Sequence, residues 1–223
     1  MKQLITKHTI LLSAFFFCWI ACNPEATQES PKAPIAPTIS SNIPIGDLSQ
    51  FFDPQEIKAI TKIKQVFDEG LKATSKNREV SYLYEGHAQR MRMDFFNKYP
   101  YTLNYPYNDK FDLSLVEEEI PYLSFLTKKC GFQKKEDDSI IHYYCLKKEG
   151  TFINFMEALG KDNPLIANLH RDYIEKKHIS QNVRQQLLMN SYEGFDFQKL
   201  EHQLVYMFYQ ILINEERLAA DEI

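Results

Sequence analysis

From residue 54 onward, apolar positions recur mostly every three or four residues, the spacing of amphipathic helices. Asp53-Pro54, with Glu56 three residues after Asp53, predicts a helix opened by a capping box with Pro in its first turn. Ile57, Ile60, Phe67 and Leu71 form its apolar side, and Lys58, Lys62 and Asp68 its exposed face. A second helix is expected from about Glu79 to Lys98, stopping before Pro100. Within it, Arg90 and Arg92 alternate with Met91 and Met93, which reads as core and surface residues of one helix. A third is expected from about Leu113 to Lys129, with Ser114 and Glu117 spaced as another capping box and Pro121 requiring a kink or a late start. The run Glu117-Glu118-Glu119 would then lie near a helix start, where the macrodipole favours negative charge. Four further helical segments fall at about 151–159, 164–177, 180–192 and 196–218. Asn163-Pro164 and Asp196 serve as starts, and Gly160 and Gly194 as ends or connections. The last segment has the clearest stripe, with Phe197, Leu200, Leu204, Phe208, Ile211 and Leu212 on one side and Glu201, Gln203 and Gln210 elsewhere. No repeat recurs at a fixed period, which disfavours a solenoid.

One stretch departs from the helical period. Between Cys130 and Cys145, turn-forming Glu136 to Ser139 separate two segments that can pair as antiparallel strands. A tip at Asp137 and Asp138 would set residue 132 opposite 143, 134 opposite 141 and Cys130 opposite Cys145. Directly opposed residues lie about 4.5–5.5 Å apart at Cα, inside the disulfide window. Such a staple would contribute about 3 kcal/mol by loop-closure entropy. A redox-active or metal-binding pair is the alternative, but there is no CxxC spacing and no His or Cys cluster beside it. The expected fold is mainly α: a compact multi-helix domain with one disulfide-linked β-hairpin.

The amino end follows a different rule. Lys2 and Lys7 precede an apolar run from Ile10 to Ala21, followed by Cys22. The run is shorter than the about 20 apolar residues a spanning helix needs. Positive charge would hold the amino end in the cytoplasm, and small Ala21 would admit a peptidase to the bond before Cys22. Residues 1 to about 23 resemble the export signal of bacterial lipoproteins, with Trp19 where that class usually has Leu. The resemblance implies that Cys22 receives a diacylglycerol on its sulfur, becomes the mature amino terminus, and is often acylated again on nitrogen with a chain such as palmitate. Two or three acyl chains make a durable membrane anchor. An ordinary secretory signal with an incidental Cys22 is the alternative. Residues 23–46 hold five of the ten prolines and read as a partly extended tether. The expected organisation is a signal over 1–21, a lipidated Cys22 and tether over 22–46, and one mainly helical domain over 47–223. Asn23, where some enteric bacteria carry an inner-membrane-retaining Asp, favours the outer membrane.

Composition narrows the partners. Beyond residue 21 the chain has 24 basic and 30 acidic residues, a formal charge of −6 that argues against nucleic acid. About 175 residues after the tether suffice for one domain with a real core. Trp19 is the one tryptophan, so processing would leave none.

Candidate chemistry is sparse. Residues 99–108 contain two Tyr-Pro-Tyr triplets, and Tyr99, Tyr101, Tyr105 and Tyr107 offer flat amphipathic rings suited to stacking on a sugar or docking a partner. The same rings could instead cover the helical core. The hairpin tip, Lys134 to Asp138, is a second candidate contact surface. No two of His87, His142, His170, His178 and His202 have metal-ligand spacing, and no metal or other cofactor is expected. Arg171 with Glu175 and Asp172 with Lys176 have the spacing of helix surface pairs. There is no Gly-x-Ser-x-Gly and no phosphate loop. Cys130 beside His142 would be a nucleophile only if it were not bonded to Cys145. No catalytic residue is assigned, and the sequence leaves enzymatic activity open while favouring a binding role. The function expected is a lipid-anchored envelope protein that binds a protein or ligand, with an envelope protein as a possible partner. An envelope hydrolase using Glu117, Asp172 or Glu175, or a small-molecule receptor with an aromatic pocket, are the rivals.

Overall fold

The computed structural model describes residues 48–72, 78–96, 113–134, 137–176 and 178–221. The chain divides into two units, Met1–Ser41 and Asn42–Ile223, and every described residue belongs to the second. The lipidation signal with Cys22, the tether and the Tyr-Pro-Tyr segment lie outside the described residues.

Among the described residues the second unit is mainly helical, with one two-stranded antiparallel hairpin. Its helices are α1 (Pro54–Lys72), α2 (Val80–Phe96), α3 (Thr151–Gly160), α4 (Pro164–Lys176), α5 (Gln181–Gly194) and α6 (Leu200–Asp221). Strands β1 (Leu126–Gln133) and β2 (Ile140–Leu146) form the hairpin between α2 and α3. Helix α2 packs on α1 and α5, α4 on α3 and α5, and α6 touches α1 and both strands.

Local capping places the helix starts. The Asp53 carboxylate accepts the amides of Gln55 and Glu56, each at 2.8 Å, while Glu56 reaches back to the Asp53 amide at 3.2 Å. This is the reciprocal capping box that the spacing predicts. Asn163 caps α4 by accepting the Ile166 amide at 3.0 Å, and its own amide donates to Gly194 O at 2.7 Å, tying α4 to the end of α5.

Helix α6 is the axis of the core. The expectation of a one-sided stripe is corrected, because every residue from His202 to Asn214 except Gln210 is buried. A helix buried all round has partners on opposite faces. Tyr206 packs against Phe195, Phe197 and Tyr84 with ring centroids 5.7, 5.2 and 6.0 Å away. Two residues on, and so on the far side of the helix, Phe208 packs against Phe125 and Phe152 at 5.3 and 5.0 Å. Two of its buried polar groups bond to carbonyls: the Gln203 amide donates to Phe197 O at 2.7 Å, and the Tyr209 hydroxyl to Leu169 O on α4 at 3.2 Å. The start of α6 also moves. Asp196 caps a separate turn by accepting the Gln198 amide at 3.1 Å, and the helix begins at Leu200.

Two other expectations are corrected. No helix covers 113–129. Short 3-10 turns at Leu113–Val116 and Ile120–Tyr122 lead into β1, because Pro121 lacks an amide hydrogen and its ring opposes a continuing α-helix, while the segment from Leu126 pairs with β2. The macrodipole account of Glu117, Glu118 and Glu119 therefore lapses. Asp68 does not belong to an exposed face. Lys64 donates to it at 2.7 Å and the Tyr84 hydroxyl at 2.9 Å, a polar cluster between α1 and α2. Burial lowers the Lys64 pKa, against the opposing pull of Asp68.

Candidate functional site

The hairpin carries the disulfide, but in a different register from the one expected. Cys130 lies opposite Tyr143 and Phe132 opposite Ile141, two residues away from the pairing that sets Cys130 against Cys145. The Asp137 carboxylate accepts the Ser139 amide at 3.0 Å and its hydroxyl at 2.6 Å, and Asp138 adopts φ 59, so the reversal closes between Lys134 and Ser139. The same two bonds to Ser139 hold the Asp137 carboxyl below its ordinary range. A shift of two keeps every side chain on its predicted face. A bulge follows: Thr127 pairs with Cys145 and Cys130 with Tyr143, so β1 runs one residue longer than β2 between these pairs. Cys130 and Cys145 consequently meet diagonally across the bulge, with Cα atoms 6.1 Å apart, and are bonded. On the adjoining part of the hairpin Phe132 stacks on Tyr143 at 5.1 Å.

The bulge side of the hairpin, the turns after Leu113 and the end of α6 enclose an open groove of about 280 Å³. Glu117 and Ile120 come from the turns, Lys128, His142 and Tyr144 from the hairpin, and Glu215 from α6. The Lys128 ammonium sits 5.4 Å from the centre of the Tyr144 ring, a cation–π contact. Glu215 accepts the Leu113 amide at 3.1 Å and so holds the first turn against α6. Ile141, Leu218 and Ala219 complete an apolar floor.

A tighter depression of about 10 Å³, room for one water-sized group, lies on the other side of Tyr143 and Tyr144. Tyr173, His178 and Glu216 line it. Arg184 bonds Glu216 at 2.6 Å. Burial nevertheless raises the Glu216 pKa, Arg184 and His178 opposing. Burial also pushes Tyr143 up to about 12. Tyr173 is raised by burial too, and its hydroxyl donates to Leu146 O at 2.8 Å.

The other residues singled out in the sequence are dispersed. Of the rival carboxylates, Glu117 reaches the groove, whereas Asp172 and Glu175 do not line it. Asp172 accepts the Ser180 hydroxyl at 2.5 Å, and Arg171 donates to Asn168 at 2.6 Å, so neither makes the helix pair its spacing suggested. His87 is buried and shares a hydrogen bond with the Tyr206 hydroxyl. His202 accepts the Asp196 amide at 2.9 Å, and His178 faces Lys176 O at 2.9 Å. Among the described residues no three His, Cys, Asp or Glu side chains form a group that could hold a metal. At the hairpin tip, Lys134, Asp137 and Asp138 are described and residues 135–136 are not. Tyr99, Tyr101, Tyr105 and Tyr107 also fall outside. Lys128, Glu215 and Glu216 carry no sequence signal of their own, because only the fold draws them together.

No family model matches the chain, and neither a curated protein nor a solved structure is detectably similar to it.

Proposed function

We propose that this chain is a lipid-anchored protein of the bacterial cell envelope, placed in the outer membrane where there is one, whose helical domain binds a protein or ligand. The observation that carries the reading is Cys22, directly after small Ala21 at the end of a short apolar run led by Lys2 and Lys7. The proline-rich segment behind it would let the domain meet a partner away from the bilayer, at up to about 3.1 Å per residue. Among the described residues no helix is long and apolar enough to cross a membrane. A domain stapled by a disulfide suits an oxidising compartment. The Tyr-Pro-Tyr segment, the hairpin tip and the groove are the contact surfaces we assign to it.

The test pairs the chain, tagged at its carboxyl end, with Cys22→Ala. Cells are labelled with radioactive palmitate, fractionated, and crosslinked before purification. Label and envelope retention are expected in the wild type and lost in the variant, with a specific envelope protein or ligand recovered from the wild type. Label that persists in Cys22→Ala, or none in either, refutes the anchor.

The hydrolase alternative would rest on Glu216, whose carboxyl burial raises against the opposing Arg184 ion pair at 2.6 Å, beside Tyr143 and His178. Cleavage of envelope glycan or peptide that Glu216→Gln abolishes would establish it. Intact cleavage in that variant would remove Glu216 from the chemistry.

A further inference from the structure

We infer that the groove beside the hairpin bulge binds a short apolar zwitterion of the dipeptide class, with its ammonium on Glu117 and its carboxylate on Lys128 and His142; this deepens the binding-module reading and rests on it, but not on lipidation. The volume, about 280 Å³, lies near the lower end of the about 300–1,000 Å³ of ordinary small-molecule sites. Its two sides carry opposite charge. The turn segment brings the exposed Glu117 carboxylate, and the hairpin brings the exposed Lys128 ammonium and the His142 ring, which offers an N–H donor in either protonation state. Among the described residues none of the three forms an ion pair, whereas Glu215, the other acid at the rim, is bonded to the Leu113 amide. Ile120, Ile141 and Leu218 add apolar lining to the same groove. A simple anion would be repelled by Glu117 and a simple cation by Lys128. A molecule with both charges separated by an apolar body satisfies both sides and covers the floor.

The experiment is isothermal titration of the full-length chain, purified in detergent, with leucyl-leucine, its N-acetyl form and its carboxamide. Leucyl-leucine is expected to bind, and blocking either end to weaken binding about tenfold or more, the scale of losing one charge-assisted hydrogen bond. Glu117→Gln should weaken leucyl-leucine to a similar extent and make the protein indifferent to N-acetylation while leaving sensitivity to amidation. Lys128→Met should weaken leucyl-leucine and shrink the effect of amidation to what His142 alone supplies, while leaving sensitivity to N-acetylation. Both side chains are exposed, and unchanged thermal unfolding of the variants confirms that they fold. Wild-type binding that neither substitution alters would place the peptide elsewhere and overturn the assignment while the binding-module reading stands. Absence of wild-type binding overturns the assignment as well, and recovery or loss of the crosslinked envelope partner then decides separately whether the module reading falls with it.

Discussion

His87 stores a pH dependence in the core. The residue is 8% exposed, and its ring packs against Phe67 and Tyr206 at centroid distances of 6.4 and 5.6 Å and is hydrogen-bonded to the Tyr206 hydroxyl. Burial, helped by the positive charge of Arg90, lowers its pKa to about 3. In the unfolded chain the same imidazole takes up a proton near its ordinary value of about 6.5. Below that pH the unfolded state binds more protons than the folded state, so acid favours unfolding. The stabilisation is complete above about pH 6.5 and is lost progressively as pH falls towards about 3. On the order of 3 kcal/mol is lost by pH 4.5, a large part of the about 5–15 kcal/mol of a typical domain. His87→Asn keeps a polar atom near Nδ1 for Tyr206 but removes the titration. It should be about 1–2 kcal/mol less stable than the wild type at pH 7, because the smaller side chain leaves a void. The two should converge and then cross as pH falls towards 4.5. Urea unfolding followed by circular dichroism at several pH values measures the difference, and groups common to both proteins cancel in it. Parallel curves from pH 7 to 4.5 would refute a buried, neutral His87.

Three other perturbations have defined outcomes. Reducing the Cys130–Cys145 bond, which spans 15 residues, or replacing both cysteines with Ser, should lower stability by about 3 kcal/mol in urea unfolding. Gly86 and Gly160 should respond in opposite directions: a Cβ at Gly86 meets nothing within 4 Å, so Gly86→Ala should stabilise α2 by about 0.8–1 kcal/mol, whereas at Gly160 it would lie 3.0 Å from the Ala167 Cα, so Gly160→Ala should cost about 1–3 kcal/mol by forcing α3 and α4 apart. Thermal melts of the pair decide this, and equal shifts would contradict the packing. Glu56, 2% exposed, accepts from the Ser124 amide at 3.1 Å, the Ser124 hydroxyl and the Thr151 hydroxyl at 3.4 Å as well as from Asp53, so Glu56→Ala should cost about 2–3 kcal/mol; a change below 0.5 kcal/mol would show that water replaces these bonds.

The features legible from the chain alone are local ones. The Asp53–Glu56 capping box and the Asn163 cap act across three residues, so spacing alone was enough to place the starts of α1 and α4. The disulfide partners and the faces of the hairpin residues were legible for the same reason, since strand alternation survives a shift of two. The register itself was not: it depended on the Asp137–Ser139 turn and on the bulge before Cys130, which no count from a presumed tip contains. Tertiary structure decided the remainder. Leu113 to Lys129 has helical spacing, yet Pro121 and pairing with β2 outweigh that preference. The stripe on α6 marked one buried face, on which Phe208 meets Phe125 and Phe152, but the second face, that of Tyr206, is also buried, by residues that include Tyr84 from α2. Asp68 looked exposed because its partner Tyr84 lies on another helix. The groove follows the same logic, for Glu117, Lys128, His142 and Glu215 come from four separate elements. Caps and alternation are set by neighbours within a turn or a strand, whereas burial and the meeting of charges are set by whichever segments the core brings together.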